Sequence, residues 1–251
     1  MNRKEPVHII SLGAGVQSST MALMAAHGEI EPMPAFAVFA DTQDEPEKVY
    51  EWLKWLTAAL PFPVYTTTLS KLSDDLFKWG QSQIPAFTAA GGLGKRQCTK
   101  HWKIVPVNRE IRARTGTKGQ RLPDGFACVW KGISTNEVHR AKTDRERWIT
   151  ARFPLLELRM NRHDCKQWMA KNGYPEPPRS ACVFCPYHNN REWAELKRDP
   201  VEWAKVRAVE DRLMERGEFL HPSAQPLDEV DFGDTGQLDL FNNECEGMCG
   251  V

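Results

Sequence analysis

The stretch Val7-His8-Ile9-Ile10-Ser11-Leu12-Gly13-Ala14-Gly15-Val16-Gln17-Ser18-Ser19-Thr20 narrows the possible folds most. An apolar run of strand length passes into small residues and then into a helical segment, the outline of a strand–turn–helix unit. Gly13 and Gly15 permit positive φ and close backbone approach, and Ser18, Ser19 and Thr20 fall where the helix would begin. Unpaired N–H groups at a helix start, with hydroxyls beside them, suit an anion, and a nucleotide phosphate is the natural guest. A tight βα turn with no ligand has the same outline, so the neighbouring residues must decide.

Strands and helices alternate from there. Residues 35–40 form a short continuous apolar run of the kind buried in parallel sheets, stopping at Asp41-Thr42. Val49, Trp52, Leu53, Leu56 and Leu60 make an apolar stripe on the next helix, and Thr42-Gln43-Asp44-Glu45 before it has capping-box spacing. Asp41, at the carboxyl end of a strand, stands where open α/β sheets bind ligands. Residues 64–68 read as a third strand and 72–79 as its helix. This order predicts an α/β architecture with a doubly wound parallel sheet. Residues 84–94, small and aperiodic, read as a long mobile loop of the lid type. Further strand candidates are 126–130, followed by the polar run Lys131 to Arg140, and the extended segment 153–156. Helices are expected over 161–172, with Asn161 as cap, over 191–198 and over 201–216. The expected division is 1–160 for the nucleotide-binding α/β part, 161–221 for a helical segment with a C-x-x-C, and 222–251 for a flexible acidic tail.

Basic and acidic residues balance at 33 each, but they are segregated. No Lys or Arg follows Arg216, whereas basic side chains crowd between Lys95 and Arg162. Such a field draws phosphate, sulfate or nucleic acid, although aromatic residues are sparse within it. No apolar run approaches membrane-spanning length and the first residues lack the apolar core of a secretory signal, so a cytoplasmic protein without a membrane partner is expected. In a reducing compartment the seven cysteines read as metal ligands, redox thiols or buried small hydrophobes. Cys182-Val183-Phe184-Cys185 places two sulfurs on one side of a loop, and Cys98 lies among Arg96, Lys100, His101 and Lys103, a setting that lowers a thiol pKa. Three such thiols suit zinc or an iron–sulfur cluster.

These motifs together resemble the PAPS reductase family of the adenine nucleotide alpha hydrolase, or PP-loop, superfamily. Gly13-Ala14-Gly15-Val16-Gln17-Ser18-Ser19 is similar to its modified PP-loop, and Asp41-Thr42 with Pro46-Glu47 and Tyr50 resembles its D-T-G followed by P-E-T-Y. Arg96-Gln97-Cys98-Thr99, Lys103, Pro106 and Cys182-x-x-Cys185-Pro186 look like the basic cysteine segment and C-x-x-C of its iron–sulfur-bearing members. The resemblance spans about His8 to Arg216. It departs at Gln17, where ATP-using members carry Asp, and at Cys98, which stands alone where cluster-bearing reductases have a tandem pair.

The resemblance implies a Rossmann-like PP-loop fold that binds an adenine nucleotide (APS, PAPS or ATP) through Ser11, Gly13, Ala14, Gly15, Gln17, Ser18, Ser19, Asp41, Thr42 and Gly132. It implies a 4Fe-4S cluster, or zinc, on Cys98, Cys182 and Cys185, with Cys165, Cys128, His188 or a tail cysteine as the fourth ligand, or that position open. Catalysis would fall to Cys245 or Cys249 as the attacking thiolate, with Lys103 and Arg140 neutralising the nucleotide's charge. The implied reaction is thiol-dependent reduction of an activated sulfate to sulfite, with a thiol reductant protein as partner. The missing fourth ligand and the basic middle favour an alternative, an ATP-dependent sulfurtransferase acting on nucleic acid. A zinc-stabilised nucleotide- or nucleic-acid-binding module without catalysis is the third reading. Oligomeric state is not legible.

Overall fold

The computed structural model describes residues 5–233; Cys245, Cys249 and the rest of 234–251 lie outside them, whereas the first part of the expected flexible tail, 222–233, is packed, with Leu227 fully buried and Phe232 against the same apolar cluster. Five parallel strands make the main sheet: β1 (Val7–Leu12), β2 (Phe36–Ala40), β3 (Val64–Thr67), β5 (Ala127–Lys131) and β6 (Ile149–Arg152), in the order β3-β2-β1-β5-β6. The chain walks outward from β1 to β3, then returns to place β5 on the other side of β1. The order therefore reverses between β1 and β5, which is where such sheets open a crevice beyond their carboxyl ends.

Burial on both faces explains the unbroken apolar strands. Ile10, Leu12, Ala37, Phe39 and Trp130 face one cluster with α1 (Val16–Ala26), α2 (Glu47–Ala59) and α5 (Arg162–Lys171). Ile9, Phe36, Val38, Ala127 and Val129 alternate to the opposite face, against Val107 and Ile111 of α3 (Val105–Arg114). A third apolar cluster forms beside the sheet from residues 72–102, 182–184, α6 (Asn190–Lys197) and α7 (Pro200–Met214), with Trp102, Phe184 and Trp193 fully buried.

Several local expectations change. Residues 72–79 form turns ending in a 3-10 turn at Lys78–Gly80 rather than an α-helix. The segment read as a mobile lid contains β4 (Phe87–Thr88), pinned antiparallel to β7 (Glu218–Phe219). The extended segment expected at 153–156 is instead the short helix α4 (Pro154–Glu157), because the strand before it, β6, ends at Arg152. Thr42 and Glu45 do not cap α2; the Glu202 carboxylate of α7 reaches across to accept the Glu47 N–H at 3.1 Å. Asn161 does cap α5, in a reciprocal box with Asp164.

Candidate functional site

Two sites take shape beyond the carboxyl ends of the strands. The first is the crevice between β1 and β5. Ala14, not either glycine, takes the left-handed conformation there, at φ 58°, while Gly15 is extended and caps α1 with no side-chain hydrogen bond. The first helical bond runs from Ser19 N–H to the Gly15 carbonyl at 3.0 Å. The N–H groups of Val16, Gln17 and Ser18 precede it and face away from the helix's own acceptors. The hydroxyls expected to hold phosphate are already engaged. Ser18 Oγ accepts from Gly13 N–H at 3.2 Å and donates to the Gly15 carbonyl at 3.3 Å, and Ser19 Oγ accepts the Trp52 indole N–H at 2.9 Å. Ser18 and Ser19 thus shape the loop, and the backbone is left for the anion.

The opposite wall is the turn after β5. Gly132 has no room for a side chain, since a Cβ there would lie 2.8 Å from both Cα and N of Ser18. The two backbones that bound the crevice touch only because residue 132 is glycine. Ser11 and Lys131 are register partners at the strand ends, and Lys131, buried, is held by Asp144 at 3.2 Å. The Ser11 and Ser134 hydroxyls are fully buried and have no hydrogen-bond partner among the described residues. Orphaned hydroxyls beside a buried cation and a helix start fit a phosphate-bearing ligand.

A buried polar chain closes the crevice. Arg162 donates to Gln17 Oε1 at 2.8 Å, Gln17 Nε2 donates to Glu137 at 3.2 Å, and Glu137 pairs with Arg140. Glu137 supplies a buried carboxylate beside Gln17. Arg140 is committed to it rather than open to a nucleotide, and Lys103 is likewise buried, 3.7 Å from Glu45. Glu137, Lys131 and Ser134 were visible in sequence only as polar residues after a strand.

The second site gathers three of the candidate thiols. Cys98, Cys182 and Cys185 line one cavity of about 20 Å³ together with Thr42, Arg96 and Lys103. The segment leaving β2 builds it. Thr42 Oγ1 lies 3.1 Å from Cys182 Sγ, the Asp44 carbonyl accepts Val183 N–H at 2.8 Å, and Glu45 accepts Ser180 Oγ at 3.1 Å. Asp41, at the head of that segment, accepts from Gln43 N–H at 2.7 Å and Tyr50 Oη at 2.9 Å. Burial and the Asp41 charge push the Tyr50 hydroxyl pKa far up, so it stays a donor. Within the C-x-x-C turn, Cys185 N–H donates to the Cys182 carbonyl at 2.9 Å, which also accepts His188 Nε2–H at 3.0 Å. Glu192 faces the other ring nitrogen of His188 at 3.4 Å and pairs with Arg179. Burial opposes its ionisation, but the His188 hydrogen bond and the Arg179 charge prevail and lower its carboxyl pKa to about 2.

Thiolates suit zinc or an iron–sulfur cluster by chemistry, and Cys98, Cys182 and Cys185 are the residues that would hold one. Among the described residues no three His, Cys, Asp or Glu side chains meet the geometry of a bound metal ion as they stand. Cys165 does not join the group: α5 buries it in the core against α1 and the sheet. Cys128 lies in the same core, where burial pushes its thiol pKa up.

A wide cavity of about 1370 Å³ is bounded by Lys48, Arg162, Arg179, His188 and Arg198. Arg162 connects its wall to Gln17 and His188 connects it to the Cys182 carbonyl. Among the described residues no helix is long and apolar enough to cross a membrane.

No family model and no curated protein matches this sequence. Among solved structures, the chain is similar to phosphoadenylyl-sulfate (PAPS) reductase from Candida auris in its phosphate complex, at 15% identity, TM-score 0.46, covering 68% of this chain and 75% of that one. It is similar also to the U34-tRNA thiolase NcsA from Methanococcus maripaludis with its 4Fe-4S cluster, at 13% identity, TM-score 0.41, covering 99% and 78%. Likeness at this level does not carry function, which rests on the two sites.

Proposed function

We propose that this chain is an adenine-nucleotide-dependent enzyme of sulfur chemistry, binding the nucleotide in the β1/β5 crevice and carrying sulfur on the Cys98–Cys182–Cys185 set. One observation carries this reading: residues 41–45 leave the strand beside the nucleotide loop and are hydrogen-bonded directly to the cysteine turn. A shift at one site must be felt at the other.

The arrangement of the thiols favours sulfur transfer: Cys98, Cys182 and Cys185 share one cavity, so a persulfide on one has a neighbouring thiolate to resolve it. In this reading ATP adenylylates an oxygen bonded to an acceptor carbon and releases pyrophosphate. The terminal sulfur of a persulfide, loaded onto one cysteine by a persulfide donor, attacks that carbon and AMP leaves. A neighbouring thiolate then attacks the resulting mixed disulfide, freeing the thiolated product and leaving a protein disulfide for a thiol reductant to reset. Incubation with ATP, APS and PAPS in parallel tests this. Pyrophosphate from ATP is expected once acceptor is present, whereas AMP and thiolated product are expected only when the sulfur donor is added as well and should be lost in Cys182→Ser. Sulfite from APS or PAPS with nothing from ATP would overturn transfer and establish the reductive reading, whose nucleophiles Cys245 and Cys249 lie outside the described residues.

A further inference from the structure

The 3-10 turn that replaces the expected helix carries an aromatic ring in an unusual setting. Trp79 is 59% exposed and sits at φ 59°, ψ 27°, a left-handed conformation that is an outlier for a bulky side chain. Such conformations cluster where function holds them. The His101 ring lies 4.7 Å from the indole and Lys78 Nζ 5.6 Å from its centre, so Trp79 is propped from within the protein while much of its surface is open to solvent. His101 and the exposed Lys100 belong to a π-helical stretch, Thr99–Ile104, a rare geometry found mostly at functional sites. Arg216, exposed, donates to the Gly80 carbonyl at 3.0 Å. Asp75, paired with Lys78 at 2.6 Å, is the carboxylate held within this group.

This turn is coupled to the thiols by one buried residue. The Gln83 carbonyl accepts the Cys98 N–H at 2.7 Å, and its side-chain amide donates to the carbonyls of Lys78 and Gln81, which flank Trp79. From this we infer that Trp79 is a stacking platform for an unpaired base of a single-stranded nucleic acid, with Lys78, Lys100 and Arg216 holding the adjoining phosphates. The inference rests on the sulfur-transfer reading and names its acceptor class. Indole stacks on any base, a duplex hides its base faces, and basic side chains around the turn suit the backbone that flanks a stacked base.

Binding of short fluorescein-labelled single-stranded oligonucleotides, RNA and DNA in separate arms, to the full chain tests it by anisotropy. Trp79→Gly suits the left-handed turn and is expected to keep the fold while weakening binding by about ten- to a hundredfold. Trp79→Phe, which keeps a ring, should retain most of the affinity. Lys100→Gln should lower the salt slope of binding by about one unit. Unchanged affinity in both Trp79→Gly and Lys100→Gln overturns the platform, as does displacement of the oligonucleotide by AMP at concentrations that fill the crevice. ATP turnover without oligonucleotide binding sinks the platform and leaves the nucleotide reading; oligonucleotide binding through Trp79 without ATP turnover does the reverse.

Discussion

The nucleotide crevice and the thiol cavity are neighbours built in opposite ways. The crevice is made by strands in register: Ser11 beside Lys131, and Gly132 against Ser18, stand where the β-ladder places them. The cavity has no ladder. Cys98 and the Cys182–Cys185 turn come from distant segments, joined by a few hydrogen bonds that link Gln83 to Cys98 and Thr42, Asp44 and Glu45 to residues 180–183. A ladder spreads its load over many hydrogen bonds, whereas a site held by a few is more exposed to each one's loss. The crevice should therefore fail by steric intrusion or by an uncompensated charge, and the cavity by pH or by one substituted atom.

The largest effect expected is from Cys182→Ser, which should cut sulfur-product formation by about a thousandfold or more, a range typical for loss of a covalent nucleophile. Nucleotide affinity, measured by titration calorimetry, should be kept; a parallel loss would merge the two sites into one. In the crevice, Glu137→Ala leaves Arg140 buried without its carboxylate and should cost about 3–5 kcal/mol in a denaturant melt. Little change would remove the buried chain from Gln17 to Arg140 as a support of the loop. Gly132→Ala should cost about 1–3 kcal/mol by overpacking and weaken nucleotide binding, leaving the count of titratable thiols unaltered.

Acid should separate the regions more gently. Glu192 has a folded pKa of about 2 against an ordinary 4.5, so its carboxylate supports the turn after the C-x-x-C fully above pH 4.5. That support is lost as pH falls through about 2, on the order of 2 kcal/mol, and Glu192→Gln should flatten the acid limb of a pH–stability curve. An acid limb unchanged in the variant would transfer the pH sensitivity elsewhere. The smallest expected change is from Tyr50→Phe, which removes one hydrogen bond to Asp41 and should cost about 1 kcal/mol with a modest rise in nucleotide Kd.

Much of the fold was legible in the sequence because it depends on local pattern. Unbroken apolar runs marked buried parallel strands, the stripe from Val49 to Leu56 marked α2, and Asn161 marked the start of α5. The thiols Cys98, Cys182 and Cys185 could be grouped by motif, since a C-x-x-C and a basic-flanked cysteine are visible without coordinates. Legibility failed where a residue's partner lies far along the chain. Thr42 and Glu45 have capping spacing, yet the cysteine loop and Lys103 claim their side chains while Glu202 caps α2.

The sequence by itself determined a parallel α/β sheet with a phosphate-suited turn after its first strand, because side-chain period and glycine content act within a few residues. Tertiary structure alone decided which polar groups hold the loop and which stay open to a ligand. Ser19 was taken by Trp52, Arg140 by Glu137, and Ser11 and Ser134 were left buried without partners among the described residues. Each depends on packing two segments that sequence order keeps apart, and in a low-dielectric interior the group that finds a partner is set by proximity and not by type.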